Sequence, residues 1–84
     1  MARIIRECRT SIAKQSFLIV VTAEASNFVS RVFRADPSGH MRPLVNANRW
    51  SIEFHDRDAH RAFDRAVKFL RRIAPERTIE SRSR

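Results

Sequence analysis

The hydrophobic positions of this chain repeat with a helical spacing near its C-terminal end. Between Asp56 and Ala74, apolar residues recur at three- and four-residue intervals and define one helix face: Ala59, Ala62, Phe63, Ala66, Val67, Phe69, Leu70 and Ile73. Asp56 is suited to cap the start of this helix, and Asp58 lies in the first turn, where the helix dipole favours an acid. Pro75 is predicted to end the helix, because a residue that precedes proline disfavours the α conformation.

Two other segments have the patterns of β-strands. Phe17–Val21 is a continuous run of aromatic, β-branched and aliphatic residues, which is typical of a buried strand. Arg49–His55 alternates between apolar and polar residues, so that Trp50, Ile52 and Phe54 share one side. We therefore expect these three side chains to be buried.

Residues 25–35 fit two patterns. Their apolar residues have helical spacing, yet their content of Phe and Val favours a strand over Phe28–Ala35. The turn that follows, Asp36–Gly39, combines Asp, Pro and Gly at the positions a β-turn prefers. It favours a hairpin with His40–Val45, in which Pro43 indicates an edge or irregular strand, but a helix that ends at the same turn remains open.

The first segment, residues 2–14, is predicted to form a helix. One side of that helix would be apolar, with Met1, Ile5, Cys8 and Ile12, flanked by Ile4. The opposite side would be polar, with Arg3, Glu7, Thr10 and Lys14. On this face Cys8 is expected to act as a small hydrophobic residue and not as a nucleophile.

Together these elements predict an α+β fold. It has a small antiparallel sheet of three to four strands, an N-terminal helix, and a C-terminal amphipathic helix packed on one face. We expect residues 1–75 to form a single domain and the polar segment 76–84 to be a disordered tail. The predicted core joins the helix to the strands through Phe63, Val67, Leu70, Ile73, Trp50, Ile52, Phe54 and the Phe17–Val21 strand.

The charge of the chain adds a functional clue. The net charge is +8 in 84 residues, and the excess lies at the two ends of the chain while the middle is balanced. An excess of positive charge of this kind attracts polyanionic partners: nucleic acid, acidic proteins or anionic lipid. Arginine outnumbers lysine 15 to 2, which suits bidentate phosphate recognition, although a GC-rich genome produces the same bias.

The cations of the last helix fall on the face opposite its apolar residues. Five of them form the predicted nucleic-acid-binding row: Arg57, Arg61, Arg65, Lys68 and Arg72. The alternative is an ordinary solvated face, supported by Asp58 beside Arg61 and Asp64 beside Lys68. Two acids cannot neutralise six cations, so the helix keeps an excess of +4.

Other kinds of chemistry find little support in the sequence. Gly39 is the only glycine, which excludes the glycine-rich loops that bind nucleotide phosphates. The acids and histidines between Glu53 and His60 have poor spacing for a metal, so we expect no metal, no cofactor and no enzymatic activity. Because Trp50 and Phe54 are expected in the core, base stacking on the sheet is not expected either.

We therefore hypothesise a small basic nucleic-acid-binding or regulatory protein. The alternative is a non-enzymatic interaction module, such as a homodimer, a subunit or a phage-type inhibitor, that docks on an acidic protein. In that reading the edge strand His40–Val45 could also pair copies of the chain. A single cysteine and the lack of a membrane-length or secretion-type hydrophobic segment favour a cytoplasmic location and no membrane partner.

Overall fold

The computed structural model describes the backbone of residues 3–82 and the side chains of residues 3–73. Its elements follow in the order β1 (Arg3–Ile12), β2 (Gln15–Glu24), β3 (Asn27–Ala35), β4 (Met41–Pro43), β5 (Glu53–Asp56) and α1 (Ala59–Arg82). The strands form one antiparallel sheet in which β1, β2 and β3 are neighbours. β4 and β5 both pair with β3, at opposite ends of that strand. The predicted α+β class and antiparallel sheet are confirmed.

The predicted N-terminal helix is wrong, because the segment forms the edge strand β1. This strand pairs with β2 from Arg3↔Ala23 to Ile12↔Gln15, with one irregularity between Ile4 and Arg6. The turn between the strands has only two residues, Ala13 and Lys14, both with left-handed backbone (φ 55° and 66°). Such turns usually carry Asn or Gly, so nothing in the sequence indicated a hairpin here. Pairing with the adjacent strand β2 then decided the conformation.

The central part of the sheet agrees with the sequence. Phe17–Val21 lies within β2, and residues 27–35 form β3, which removes the helical alternative for this segment. The turn after β3 is also confirmed: the Gly39 amide donates to the Asp36 carbonyl at 2.9 Å, and Gly39 has φ 94°. The Asp36 carboxylate accepts hydrogen bonds from Ser38 and Arg42, which lower its pKa to about 2.

The two predicted strands after this turn are shorter than expected. β4 covers three residues of His40–Val45, and β5 begins only at Glu53, so Arg49–Ile52 lies outside it. Residues 44–52 form a small hairpin between β4 and β5, closed by a hydrogen bond from the Ile52 amide to the Leu44 carbonyl. Trp50 lies on this hairpin and is 72% exposed, so its predicted place in the core is wrong. Hydrogen bonds to Asn46 hold Trp50 in the turn of this hairpin, so the strand alternation that predicted its burial does not apply there.

The core lies between α1 and the inner face of the sheet. Phe17, Ile19 and Val21 of β2 are buried there, against a set of helix residues that are buried as well: Ala62, Ala66 and Leu70. All eight residues of the predicted apolar helix face are buried or half-buried, which confirms that face. Small alanine side chains let the helix approach closely, as the 2.6 Å hydrogen bond from the Ser30 hydroxyl to the Ala62 carbonyl indicates.

Both ends of α1 differ from the prediction. Asp58, and not Asp56, is the N-cap, since its carboxylate accepts hydrogen bonds from the amides of His60 and Arg61. The helix also continues past Pro75 to Arg82, so the predicted stop is wrong. Proline removes one helical hydrogen bond and disfavours the helix locally, but this cost did not end the helix.

The domain limits 1–75 stay a prediction. Of the tail 76–84, which was expected to be disordered, the structure describes only the helical backbone as far as Arg82. Met1, Ala2, Ser83 and Arg84 lie outside the described residues. Within the described residues, no helix has the length and apolar character needed to cross a membrane.

Candidate nucleic-acid interface

The polar side of α1 faces solvent. The helix buries one side against the sheet, and every cation between residues 57 and 73 is exposed: Arg57, Arg61, Arg65, Lys68, Arg71 and Arg72. This separation follows from the 3.6-residue period, because residues that lie opposite the alanines cannot reach the sheet. The five cations that the sequence predicted to bind nucleic acid are called the basic row below: Arg57, Arg61, Arg65, Lys68 and Arg72.

Three members of the basic row come together at one cleft. Arg65, Lys68 and Arg72 line a cleft of about 280 Å³ beside two aromatic rings, those of Phe54 and Phe69. The rings are in tilted contact, with their centroids 5.6 Å apart. The cleft therefore offers positive charge around an apolar floor, which suits a ligand that carries both phosphate and flat apolar groups.

Arg65 is the most fixed of these cations. Its Nη1 donates a hydrogen bond of 2.9 Å to the backbone carbonyl of His55 in β5. Its guanidinium carbon also lies 5.8 Å from the centre of the Phe54 ring, within the range of a cation–π contact. The remaining guanidinium donors stay available to a bound anion because the side chain is exposed.

The other cations lie away from this cleft. Arg57 precedes α1, and Arg61 occupies its first turn. Arg71 lines a second cleft of about 230 Å³ on the opposite side of the helix, between α1 and β1, together with Cys8. Cys8 is half-buried there, in agreement with its expected role as a small hydrophobic residue.

The acids near the basic row neutralise it only in part. Asp64 lies 3.2 Å from Lys68, in the i,i+4 pair that the sequence predicted. Asp58 is engaged with backbone amides of the first helical turn. Within residues 3–73, the structure gives the basic row no other carboxylate partner. Most of its charge is therefore free to attract an anion.

The acids and histidines between Glu53 and His60 have structural roles. Nε2 of His55 lies 3.0 Å from Oε1 of Glu53, and this hydrogen bond, followed by that of Arg31, lowers the pKa of Glu53. Arg31 also contacts Glu24 at 2.8 Å, which lowers the pKa of that carboxyl. These pairs lie on the outer face of the sheet. The described residues contain no group of three or more such side chains that could hold a metal.

The sequence pattern placed Trp50 in the core and so did not identify it as an exposed candidate residue. A signal was present in the turn-forming residues just before it, Asn46 and Asn48, which favour a loop over a continuous strand. The alternation of Trp50, Ile52 and Phe54 outweighed this signal, because it predicted one continuous strand where the structure has a turn followed by β5.

The fold and the exposed charge define a small α+β domain with a basic helix face. Searches against protein-family models, curated proteins and solved structures found no match to this chain. The function of this domain therefore has to be inferred from the geometry of the chain itself.

Proposed function

We propose that this protein binds nucleic acid through the phosphate backbone and catalyses no reaction. The contacts are made by the basic row of Arg57, Arg61, Arg65, Lys68 and Arg72. Each cation that neutralises a phosphate releases condensed counterions, so binding is electrostatic and of low sequence specificity. We place the protein in the cytoplasm and give it no metal or cofactor.

One observation carries this proposal: every residue of the basic row is exposed, yet within residues 3–73 only Lys68 is paired with a carboxylate. An exposed helix face that served solubility alone would have acids interspersed among its cations. Here the charge is concentrated on one side, and three of the cations surround a cleft with aromatic rings.

The first test is a binding titration at several salt concentrations. If all five cations contact phosphates of a single strand, the logarithm of the association constant should fall with the logarithm of salt with a slope of about −3.5. The double variant Arg61→Glu with Lys68→Glu should abolish binding, because it removes two contacts and adds two repulsive charges. Binding that does not respond to salt would contradict the proposal.

A matched control changes the same amount of charge outside α1. Arg3→Glu with Lys14→Glu lowers the net charge by four, as the helix double variant does. Both replaced residues are exposed, at the start of β1 and in its turn. The control should keep most of the affinity. Equal losses in the two variants would show that overall charge, and not the basic row, determines binding.

The second candidate is an interaction module that binds protein through a sheet edge. The observation in its favour is β1, which pairs with β2 on one side and has no strand on its other side within residues 3–82. An open edge of this length is a template for another strand. A protein ligand retained after nuclease treatment, and retained also by the Arg61→Glu, Lys68→Glu variant, would favour this candidate over the first.

A further inference from the structure

The hairpin of residues 44–52 presents a single large aromatic side chain to solvent. Trp50 is 72% exposed, and Val45 on the same hairpin is 47% exposed. Most exposed apolar residues on a protein are scattered singly and have no functional significance. A tryptophan is different, because it is the largest apolar side chain and its exposure sacrifices the most burial energy.

The backbone around Trp50 is held in place by Asn46. The Asn46 side-chain oxygen accepts hydrogen bonds from the amides of Asn48 (2.9 Å) and Trp50 (3.1 Å). The Asn46 amide donates to the Trp50 carbonyl at 2.9 Å, and Arg49 closes the turn with φ 65°. Trp50 is therefore held on both of its backbone groups. The backbone that carries the ring is therefore ordered before a ligand binds, which removes this part of the entropic cost of binding.

The position of the hairpin links it to the basic row. It leads directly into β5, the strand whose Phe54 forms one wall of the cleft with Arg65, Lys68 and Arg72. Trp50 precedes Phe54 by four residues, so their Cα atoms are at most about 14 Å apart. Arg49, next to Trp50, adds a further exposed cation. One short oligonucleotide can therefore reach both the ring and the cleft.

We propose that Trp50 stacks on an unpaired base of a single-stranded nucleic acid whose phosphates contact the basic row. This inference rests on the proposed function and makes it more specific. A base inside a duplex is covered by its neighbours, whereas an unpaired base offers its flat face to an aromatic ring. Stacking of this kind tolerates all four bases, which agrees with the low sequence specificity expected of phosphate contacts.

The chain is well suited to a direct test, because Trp50 is its only tryptophan and it has no tyrosine. Intrinsic fluorescence excited at the red edge of the tryptophan band therefore reports on this one residue. A 12-nucleotide oligothymidylate should quench the fluorescence in proportion to binding. An oligomer of the same length with abasic sugars should bind through its phosphates without quenching, and a duplex should quench little.

Variants then measure the contribution of the ring to affinity. Trp50→Leu should weaken oligothymidylate binding by about 5- to 150-fold, the range expected for one base–aromatic stack. It should leave duplex and abasic affinity unchanged. Trp50→Phe should retain part of the affinity, and Val45→Ala, the matched control on the same hairpin, should retain all of it.

The outcomes separate this inference from the proposed function. If oligothymidylate binds with strong salt dependence but neither quenches Trp50 nor responds to Trp50→Leu, the stacking inference is overturned and phosphate binding stands. If no nucleic acid binds at low salt, both fail. A Trp50→Leu variant that loses duplex and single-strand affinity equally would also overturn stacking on an unpaired base.

Discussion

At the scale of single residues, left-handed backbone marks the turns that shape the sheet. Ala13, Lys14, Ala25 and Arg49 all have φ between 52° and 66°, a conformation that costs a residue with a Cβ atom about 1–2 kcal/mol. Each of them lies in a tight connection between paired segments. The hydrogen bonds of the flanking strands enforce these conformations and offset their cost.

The turn between β1 and β2 gives a test of this strain. Lys14→Gly should raise the free energy of unfolding by up to about 1 kcal/mol, because glycine adopts positive φ without a steric penalty. Lys14→Ala, which removes the same charge but keeps the Cβ atom, should change it by less than about 0.5 kcal/mol. Urea denaturation followed by circular dichroism measures both. Equal effects of the two variants would rule out backbone strain as the cause.

At the scale of elements, the open edge of β1 has a charge pattern that selects one way of pairing with a second copy. Antiparallel pairing of two copies about an axis normal to the sheet keeps both helices on the same face. Near the middle of β1, such a register can be centred on Glu7, Cys8 or Arg9. Centring on Glu7 places the Glu7 carboxylates of the two copies opposite each other, and centring on Arg9 does the same for the two Arg9 side chains. Both arrangements bring like charges together. Centring on Cys8 places Glu7 of each copy opposite Arg9 of the other, which is the only favourable arrangement of the three.

The second candidate function therefore predicts a dimer with this register. Glu7→Arg and Arg9→Glu should each weaken dimerisation by about 10-fold, because two attractive pairs become repulsive. The double variant should restore it, since the charges are exchanged. Sedimentation equilibrium measures the dissociation constants, and a double variant as weak as the single ones would exclude pairing through β1.

Cys8 reports the register of the same dimer. In the Cys8-centred pairing the two Cα atoms are about 4.5–5.5 Å apart, within the range that a disulfide can bridge. Mild oxidation should cross-link the wild-type protein and the double variant but not Glu7→Arg. Cross-linking of all three at the same rate would indicate random collision.

At the scale of the whole molecule, one helix covers one face of one sheet. Leu70, on the inner side of α1, is fully buried, while Leu18, Val20 and Phe33 on the outer face of the sheet are only half-buried. A chain of this length has a total stability of about 4–12 kcal/mol. The inner layer holds most of the fully buried apolar side chains, so a cavity there removes a large share of this stability.

Two substitutions compare the contribution to stability of a core residue with that of a residue on the exposed hairpin. Leu70→Ala should lower the free energy of unfolding by about 2–5 kcal/mol through loss of burial and creation of a cavity, which is a large part of the total. Trp50→Ala should lower it by less than about 0.5 kcal/mol, because its ring is already in solvent. Thermal melts measure the contrast. A large loss on Trp50→Ala would contradict the exposed position of this residue.

Much of this architecture could be predicted from the sequence, although the first element could not. The helix face, the buried run in β2 and the turn at Asp36 each had a local pattern strong enough to determine the structure. Residues 3–12 had a weak helical spacing and no turn signal before β2. Of the basic row, the sequence predicted which cations are exposed, whereas only the structure distinguishes the cleft of Arg65, Lys68 and Arg72.

The sequence by itself determined the two-sided helix, because its 3.6-residue period separates apolar from cationic residues regardless of what the helix packs against. The tertiary structure decided what becomes of segments whose local preference is weak. Pairing with β2 made the N-terminal segment a strand, and the Asn46-centred turn moved Trp50 out of the core. The first outcome depends on hydrogen bonds to residues up to 20 positions away in the chain, which no local pattern encodes. The second depends on a local turn whose asparagine signal was weaker than the apolar alternation that follows it.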